Sequence, residues 1–309
     1  MTADTLRLML VLGLPQAGGQ RLRRCLELCG APAISSEPLA KLHAASLEAA
    51  GTDGLSIRSL PARWYGSDAA AGLQQQLLDV LQGCLPNQGL RVLQLPGQER
   101  LLPLWKQTLA ALPISTSFVL VLRHPLEVAE SLSRQSGCSR DRGLLIWLQS
   151  MLAMEAATRG EERLVLEQER LSWDPDGVLD QLERHFHLQL PERSHERLLL
   201  WEQEEQAQRH NPWSAERSDV PQSVEGSPLL QMALELHQWL QAEARGETRQ
   251  RLMPDVICQQ LAWAEALYGR TLAEELQQRR QAERDLSQLN RSRLLRLRRW
   301  LRRDLSQAS

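Results

Sequence analysis

Apolar residues gather first at Leu6 to Leu12, broken only by Arg7, and again at 90–95, 117–122 and 164–166. Runs of this length with few polar interruptions predict strands buried on both faces, and SFVLVL at 117–122 is the plainest of them. Between the runs, apolar positions recur at helical spacing. Helices are predicted over about 20–29, 37–50, 69–82, 101–112, 125–135, 142–159 and 176–186. Their ends are punctuated: Gly30-Ala31-Pro32 stops the first, Gly51 the second, Gly83 the third and Gly160 the sixth, while Pro125 opens the fifth where a helix tolerates proline. The stretch holding Trp64 and Tyr65 reads as a loop. Strands alternating with helices predict a parallel sheet. From Pro191 the pattern changes to a charged helix over 192–210, an irregular loop over 211–228 and a helix over 229–244. After Pro254, apolar residues at 257, 261, 264, 268, 272 and 276 fit a long helix with a partner-facing stripe.

The expected fold class is therefore α/β. A three-layer domain over 1–250, with a parallel sheet of about four or five strands and helices on both faces, precedes a helical, coiled-coil-like tail over 254–309. A chain of 309 residues with 42% hydrophobic content can bury such a core, and its richness in Leu, Gln, Ala and Arg favours helix over strand. The five cysteines are odd in number and include no CxxC pair, so buried thiols in a reducing compartment are expected, with no metal site. No run approaches the ~18 apolar residues of a membrane span. The start lacks the pattern of a signal peptide. A cytoplasmic location is the expectation.

The first strand, the turn GLPQAGGQ at 13–20 and the helix after it have the outline of a phosphate cradle. Gly18 and Gly19 let backbone N–H groups converge at a helix N-terminus, which favours anions. Yet the turn holds no Lys, Arg, Ser or Thr. Further along, Arg123 ends the third strand, at the carboxyl edge where open α/β sheets bind ligands. Ser131 follows eight residues later on the next helix. A guanidinium fork and a hydroxyl there suit a phosphate.

In this order and spacing the chain resembles the bacterial branch of the sulfotransferases that use 3'-phosphoadenosine 5'-phosphosulfate. Arg123, His124-Pro125 and Ser131 match the family's 3'-phosphate block. EPLAKLHAASLEAAG at 37–51, LPLW at 102–105, IWLQSMLAME and LSWDPDGVLDQLERHF resemble other blocks, and the likeness spans about 6–245, thin after 190. The resemblance implies a fold like that of a P-loop nucleotide kinase. It implies 3'-phosphoadenosine 5'-phosphosulfate as co-substrate, without a metal. Gly13, Gln16, Gly18, Gly19 and Gln20 would lie at its 5' end, and Arg123 and Ser131 at its 3'-phosphate. Glu37, at the start of the second helix, would be a general base on an acceptor hydroxyl if burial raises its pKa, with His43 in the same cleft. The acceptor would be a carbohydrate or lipid. A kinase is disfavoured, because the turn lacks the Lys and Ser or Thr that hold phosphate and magnesium.

The departures from the family pattern fall together. Gln16 stands for the loop's Arg, Ala17 for its Ser, Gly19 for its Thr and Gln20 for its last hydroxyl. Gln94, Leu95, Pro96 and Gly97 replace Lys-Asp-Pro-Arg, and Gln168 replaces a Tyr. Arg21 is one position past the turn and could reach back. Two readings stay open: a sulfotransferase, or a catalytically inactive protein of the same fold acting as a binding or scaffold module through its C-terminal helices.

Charge adds one feature. Asn290 to Arg303 holds seven Arg and no acid, so with a net charge of -2 overall the rest carries -9. Leu294, Leu297, Trp300 and Leu301 make this a basic amphipathic helix. A homo-oligomer or protein partner, or the surface of an anionic membrane, fits it. Nucleic acid is not expected, since Trp300 is its only aromatic and the remainder is acidic.

Overall fold

The computed structural model describes residues 6–15, 17–52, 55–57, 60–209, 227–247 and 252–269, with 271, 274 and 281. Two compact units divide at Pro254 and Asp255.

The first unit contains four strands, β1 (Arg7–Leu12), β2 (Leu90–Leu93), β3 (Ser115–Leu122) and β4 (Arg163–Glu167), in one sheet of order β2-β1-β3-β4. All three pairings are parallel, with Leu10 opposite Leu93 and Phe118, and Leu120 opposite Val165. The fold is α/β, as the alternation predicts. Successive strand residues point to opposite faces, and both sets are buried. Met9, Val11, Val119, Val121, Leu164 and Leu166 share one core with α1 (Gly19–Leu28), α9 (Pro175–His185) and α10 (His195–Arg209). Leu8, Leu10, Leu12, Phe118, Leu120, Leu122 and Val165 are buried on the other face.

The remaining helices are α2 (Glu37–Ala49), α3 (Ala62–Tyr65), α4 (Asp68–Cys84), α5 (Leu102–Ala110), α6 (Pro125–Ser136), α7 (Arg140–Thr158), α8 (Gln168–Trp173) and α11 (Pro228–Ala244). Capping explains several starts: Ser36, Ser67, Ser139, Asp174 and Ser227 each accept a bond from a backbone N–H in the first turn. Eleven of the 19 residues of α7 are buried, because α6 and α11 pack against it. Its approach to α6 needs Gly143, where a Cβ would fall 2.8 Å from the Ala129 Cα.

Two short helices, α3 and α8, stand where no helix was predicted. Cys25 and Cys29 are buried, and all five cysteines are free. Near the boundary a helix runs over 253–269, with Ile257 buried and Val256, Trp263, Leu267 and Tyr268 exposed. Positions 272 and 276 of the predicted stripe, and the basic segment 290–303, lie outside the described residues.

Candidate functional site

The ends of β1, β3 and β4 and the segment after β2 meet at the carboxyl edge of the sheet. The glycine turn leaves β1 there. Gly13 packs on β3, 3.4 Å from the Val121 carbonyl oxygen at a built Cβ. The turn closes with the Ala17 N–H donating to the Leu14 carbonyl at 2.8 Å. Gly18 then caps α1 in the left-handed conformation, φ 89°. No side chain caps this end and its first turn holds no acid. Its N–H groups therefore present the positive end of the helix, a weak anion site of about half a charge. Gln16 lies outside the described residues, and Gln20 is exposed on α1.

The side chains nearest Gly18 and Gly19 are neutral. A Cβ on Gly18 would fall 2.3 Å from the Gln168 Cγ, so the Gln168 chain lies directly on this residue. A Cβ on Gly19 would be 3.8 Å from the Gln94 Cγ and 3.9 Å from its Nε2. Two positions where the resemblance implies Lys and Tyr are thus amides, and they converge on one turn from β2 and β4. Arg21 does not supply the missing charge. It forms an ion pair with Glu205, donates to the Ser172 Oγ at 3.1 Å, and stacks 5.8 Å from the Trp201 ring.

Arg123 directly follows β3, at the carboxyl edge as expected, but its Nε donates to the Glu127 Oε2 at 2.9 Å. Glu127 and Ser131 are four residues apart on one side of α6, and Arg123 lies just before its first turn. Ser131 is half-buried. Glu169 is near as well. The residue is exposed as a whole, but its carboxyl end is partly enclosed and held above its ordinary pKa, by burial first, with repulsion from Glu127 and Glu167 set against attraction to Arg123. The intended phosphate fork therefore faces carboxylates.

The two candidate catalytic residues part company. Glu37 begins α2 with its side chain 77% exposed, paired to Lys41 at 2.6 Å. Burial, the condition for a general base, is absent there. His43 is buried, with its Nδ1 accepting from the Trp105 Nε1–H at 3.3 Å and its Nε2 at 2.9 Å from the Pro96 carbonyl. That pairing fixes the neutral Nε2–H form, and burial pushes its pKa down. Both nitrogens are occupied, so His43 ties α2 to α5 and to the segment after β2.

That segment carries a feature the sequence did not reveal. Gln98, Glu99 and Arg100 are all buried in one turn after Gly97. Burial pushes the Glu99 carboxyl up to about 7, and its Oε1 lacks a hydrogen-bond partner. Arg100 donates to the Ser150 Oγ at 3.1 Å. Beside the edge, His124 and His237 stack edge-on at 5.1 Å. Burial, then His124 and Arg245, push His237 down to about 4. Among the described residues no group of three or more His, Cys, Asp or Glu could hold a metal. No described helix is long and apolar enough to cross a membrane.

Neither a protein-family model nor a curated protein matches the chain. Several solved structures are similar to it, two sulfotransferase domains among them. One is the sulfotransferase domain from the Synechococcus PCC 7002 olefin synthase, with 18% identity, TM-score 0.44, and coverage of 85% of this chain and 97% of that one. The other is the sulfotransferase domain from the curacin biosynthetic pathway, with 14% identity, TM-score 0.43, and coverage of 84% and 98%. The assignment to the α/β class rests on the sheet and helices of the chain itself.

Proposed function

We propose that this protein is a sulfotransferase-type fold that no longer carries out sulfuryl transfer and works as a binding module. The observation that carries this reading is the convergence of the Gln94 and Gln168 side chains on Gly18 and Gly19. A sulfuryl group in flight develops charge on the oxygen it leaves, and one well-placed donor to such an oxygen is typically worth about 3–4 kcal/mol. A bare helix N-terminus supplies roughly 0.3–1 kcal/mol to an anion at an exposed site. The turn therefore falls short on rate first and on affinity second.

The 3'-phosphoadenosine 5'-phosphosulfate implied by the resemblance does not fit these residues. At its 5' end it would meet amides in place of cations, and at its 3' end an arginine already paired with Glu127 beside Glu169. The hydroxyl acceptor would find Glu37 in solvent and His43 with both nitrogens bonded. The retained spacing of Arg123 and Ser131 favours the active reading, and one experiment separates the two. The double substitution Gln16→Arg with Gln94→Lys returns two cations to the turn. On this reading it strengthens binding of 3'-phosphoadenosine 5'-phosphate at least tenfold by calorimetry. Equal and tight binding by parent and variant would refute the loss of function at this turn.

A further inference from the structure

The turn Gln98–Leu101, between β2 and α5, holds buried polar side chains that the glycine turn does not use. Gln98 is 1% exposed and Glu99 2%. The Gln98 Nε2 and the Glu99 Oε1 have no hydrogen-bond partner. An ionised carboxylate so poorly partnered is costly here, because it has lost its water, whereas the neutral acid loses far less. Burial accordingly pushes the Glu99 carboxyl up to about 7, with its own backbone N–H and Arg100 favouring the charged form.

Among the described residues the surroundings of Glu99 supply no cation besides Arg100. α2, α5 and α7 pack on the turn, and Tyr65 of α3 reaches it. On α2, Glu37 and Lys41 pair with each other in solvent, Glu48 is exposed, and His43 is buried with its pKa pushed down. On α5, Lys106 pairs with Glu161 at 2.6 Å. On α7, Glu155 is held by Arg159 and Arg163, Arg140 pairs with Glu130, and Asp141 and Arg142 are exposed. On α3, Arg63 is exposed, and burial pushes the Tyr65 hydroxyl up. The turn is also lightly fastened. Its backbone bonds are local, from the Gln98 N–H to the Leu95 carbonyl at 3.3 Å and from the Arg100 N–H to the Gly97 carbonyl at 3.1 Å. Side chains tie it outward: His43 to the Pro96 carbonyl, Tyr65 to the Arg100 carbonyl and Arg100 to the Ser150 Oγ. Gly97, at φ 73°, joins it to the chain from β2 and can absorb a change of direction. Just upstream lies Gln94, whose Cγ rests over Gly19.

We propose that this turn is a proton-controlled latch: neutral Glu99 holds residues 94–101 closed, and ionised Glu99 releases them and draws Gln94 off the glycine turn. The latch does not depend on what the glycine turn binds. Its sign follows from the burial. The closed form keeps its proton up to about pH 7, and the open form, with an ordinary carboxyl, only up to 4.5. Opening is therefore rarest below pH 4.5, grows about tenfold per unit towards 7, and levels off above, about 300-fold in all. Protonation of His43 acts the other way, since it breaks the bond from the Trp105 N–H as pH falls.

The test is hydrogen–deuterium exchange of the full chain from pH 5 to 8, corrected for the intrinsic pH dependence of exchange. The expected opening of 94–101 rises about 70-fold across that range, most of it below pH 7. At every pH it exceeds the opening of β3 by at least about tenfold, as a local event does. Glu99→Gln keeps the shape and removes the charge, so its opening stays at the parent's acidic level throughout. The parent's own profile decides the matter even if that variant folds poorly. Three results overturn the proposal: opening of 94–101 that ignores pH, an equal rise in Glu99→Gln, or opening no more frequent than that of β3, which would make it global unfolding. Opening that grows as pH falls would put the control on His43 and overturn it too. A Gln94 amide that stays protected while 98–101 open would overturn the link to the glycine turn.

Discussion

Gly18→Ala puts the geometry of the turn to a quantitative test. The residue has φ 89°, a conformation that costs an L side chain about 1–2 kcal/mol. The new methyl would also start 2.3 Å from the Gln168 Cγ. Forcing such an overlap apart typically costs about 1–3 kcal/mol. Together these predict a loss of roughly 2–5 kcal/mol, on the order of 5–15 °C in melting temperature for a unit of this size. The second part depends on Gln168. Its Cβ would be 3.5 Å from the methyl, an ordinary contact, so alanine at 168 leaves room. In urea denaturation, the double variant Gly18→Ala, Gln168→Ala should be more stable than the sum of the singles predicts by about 1–3 kcal/mol. The backbone part, about 1–2 kcal/mol, should remain. A cost below about 0.5 kcal/mol for Gly18→Ala, or strict additivity, would refute the placement of Gln168 on the turn.

Two further variants bear on residues near the edge. His43→Ala leaves the Trp105 N–H and the Pro96 carbonyl buried without partners, and should cost about 2–4 kcal/mol in denaturant. A neutral effect would mean that His43 faces the cleft instead. His237→Gln should remove a pH dependence of definite sign. Its folded pKa of about 4 lies below the ordinary 6.5, so the unfolded chain takes up the proton first. Its contribution is then complete above about pH 6.5 and falls by about 3 kcal/mol as pH drops to 4. The stability difference between parent and variant, followed by denaturation from pH 7 to 4, should shrink by that amount. A difference constant with pH would contradict the burial of the ring.

Much of the frame was legible because buried parallel strands announce themselves as apolar runs. All four strands lie within two residues of the predicted spans, since Gly and Pro mark where each neighbouring helix stops. The two missed helices have local causes. α3 is only four residues long, too short for a period to show, and α8 is closed at Asp174-Pro175 before a second turn completes. The neutrality of the glycine turn was also legible, being a matter of residue type. What the sequence hid was convergence. Gln94 and Gln168 are 74 residues apart and reach Gly19 and Gly18 only because the sheet runs β2-β1-β3-β4. The roles of His43 and Glu99 were hidden for the same reason, since burial and partners come from α5 and α7. Glu127, in contrast, was in plain view four residues after Arg123, an acid in the first turn of the helix that follows it.

The central claim is that the carboxyl edge has lost its nucleotide chemistry. Calorimetric titration of the purified chain with 3'-phosphoadenosine 5'-phosphate, the desulfated product, tests it most directly. The account predicts no saturable heat below about millimolar ligand, where the standard free energy would be about −4 kcal/mol. Micromolar binding that Arg123→Ala abolishes without altering the melting temperature would contradict it and favour the active reading.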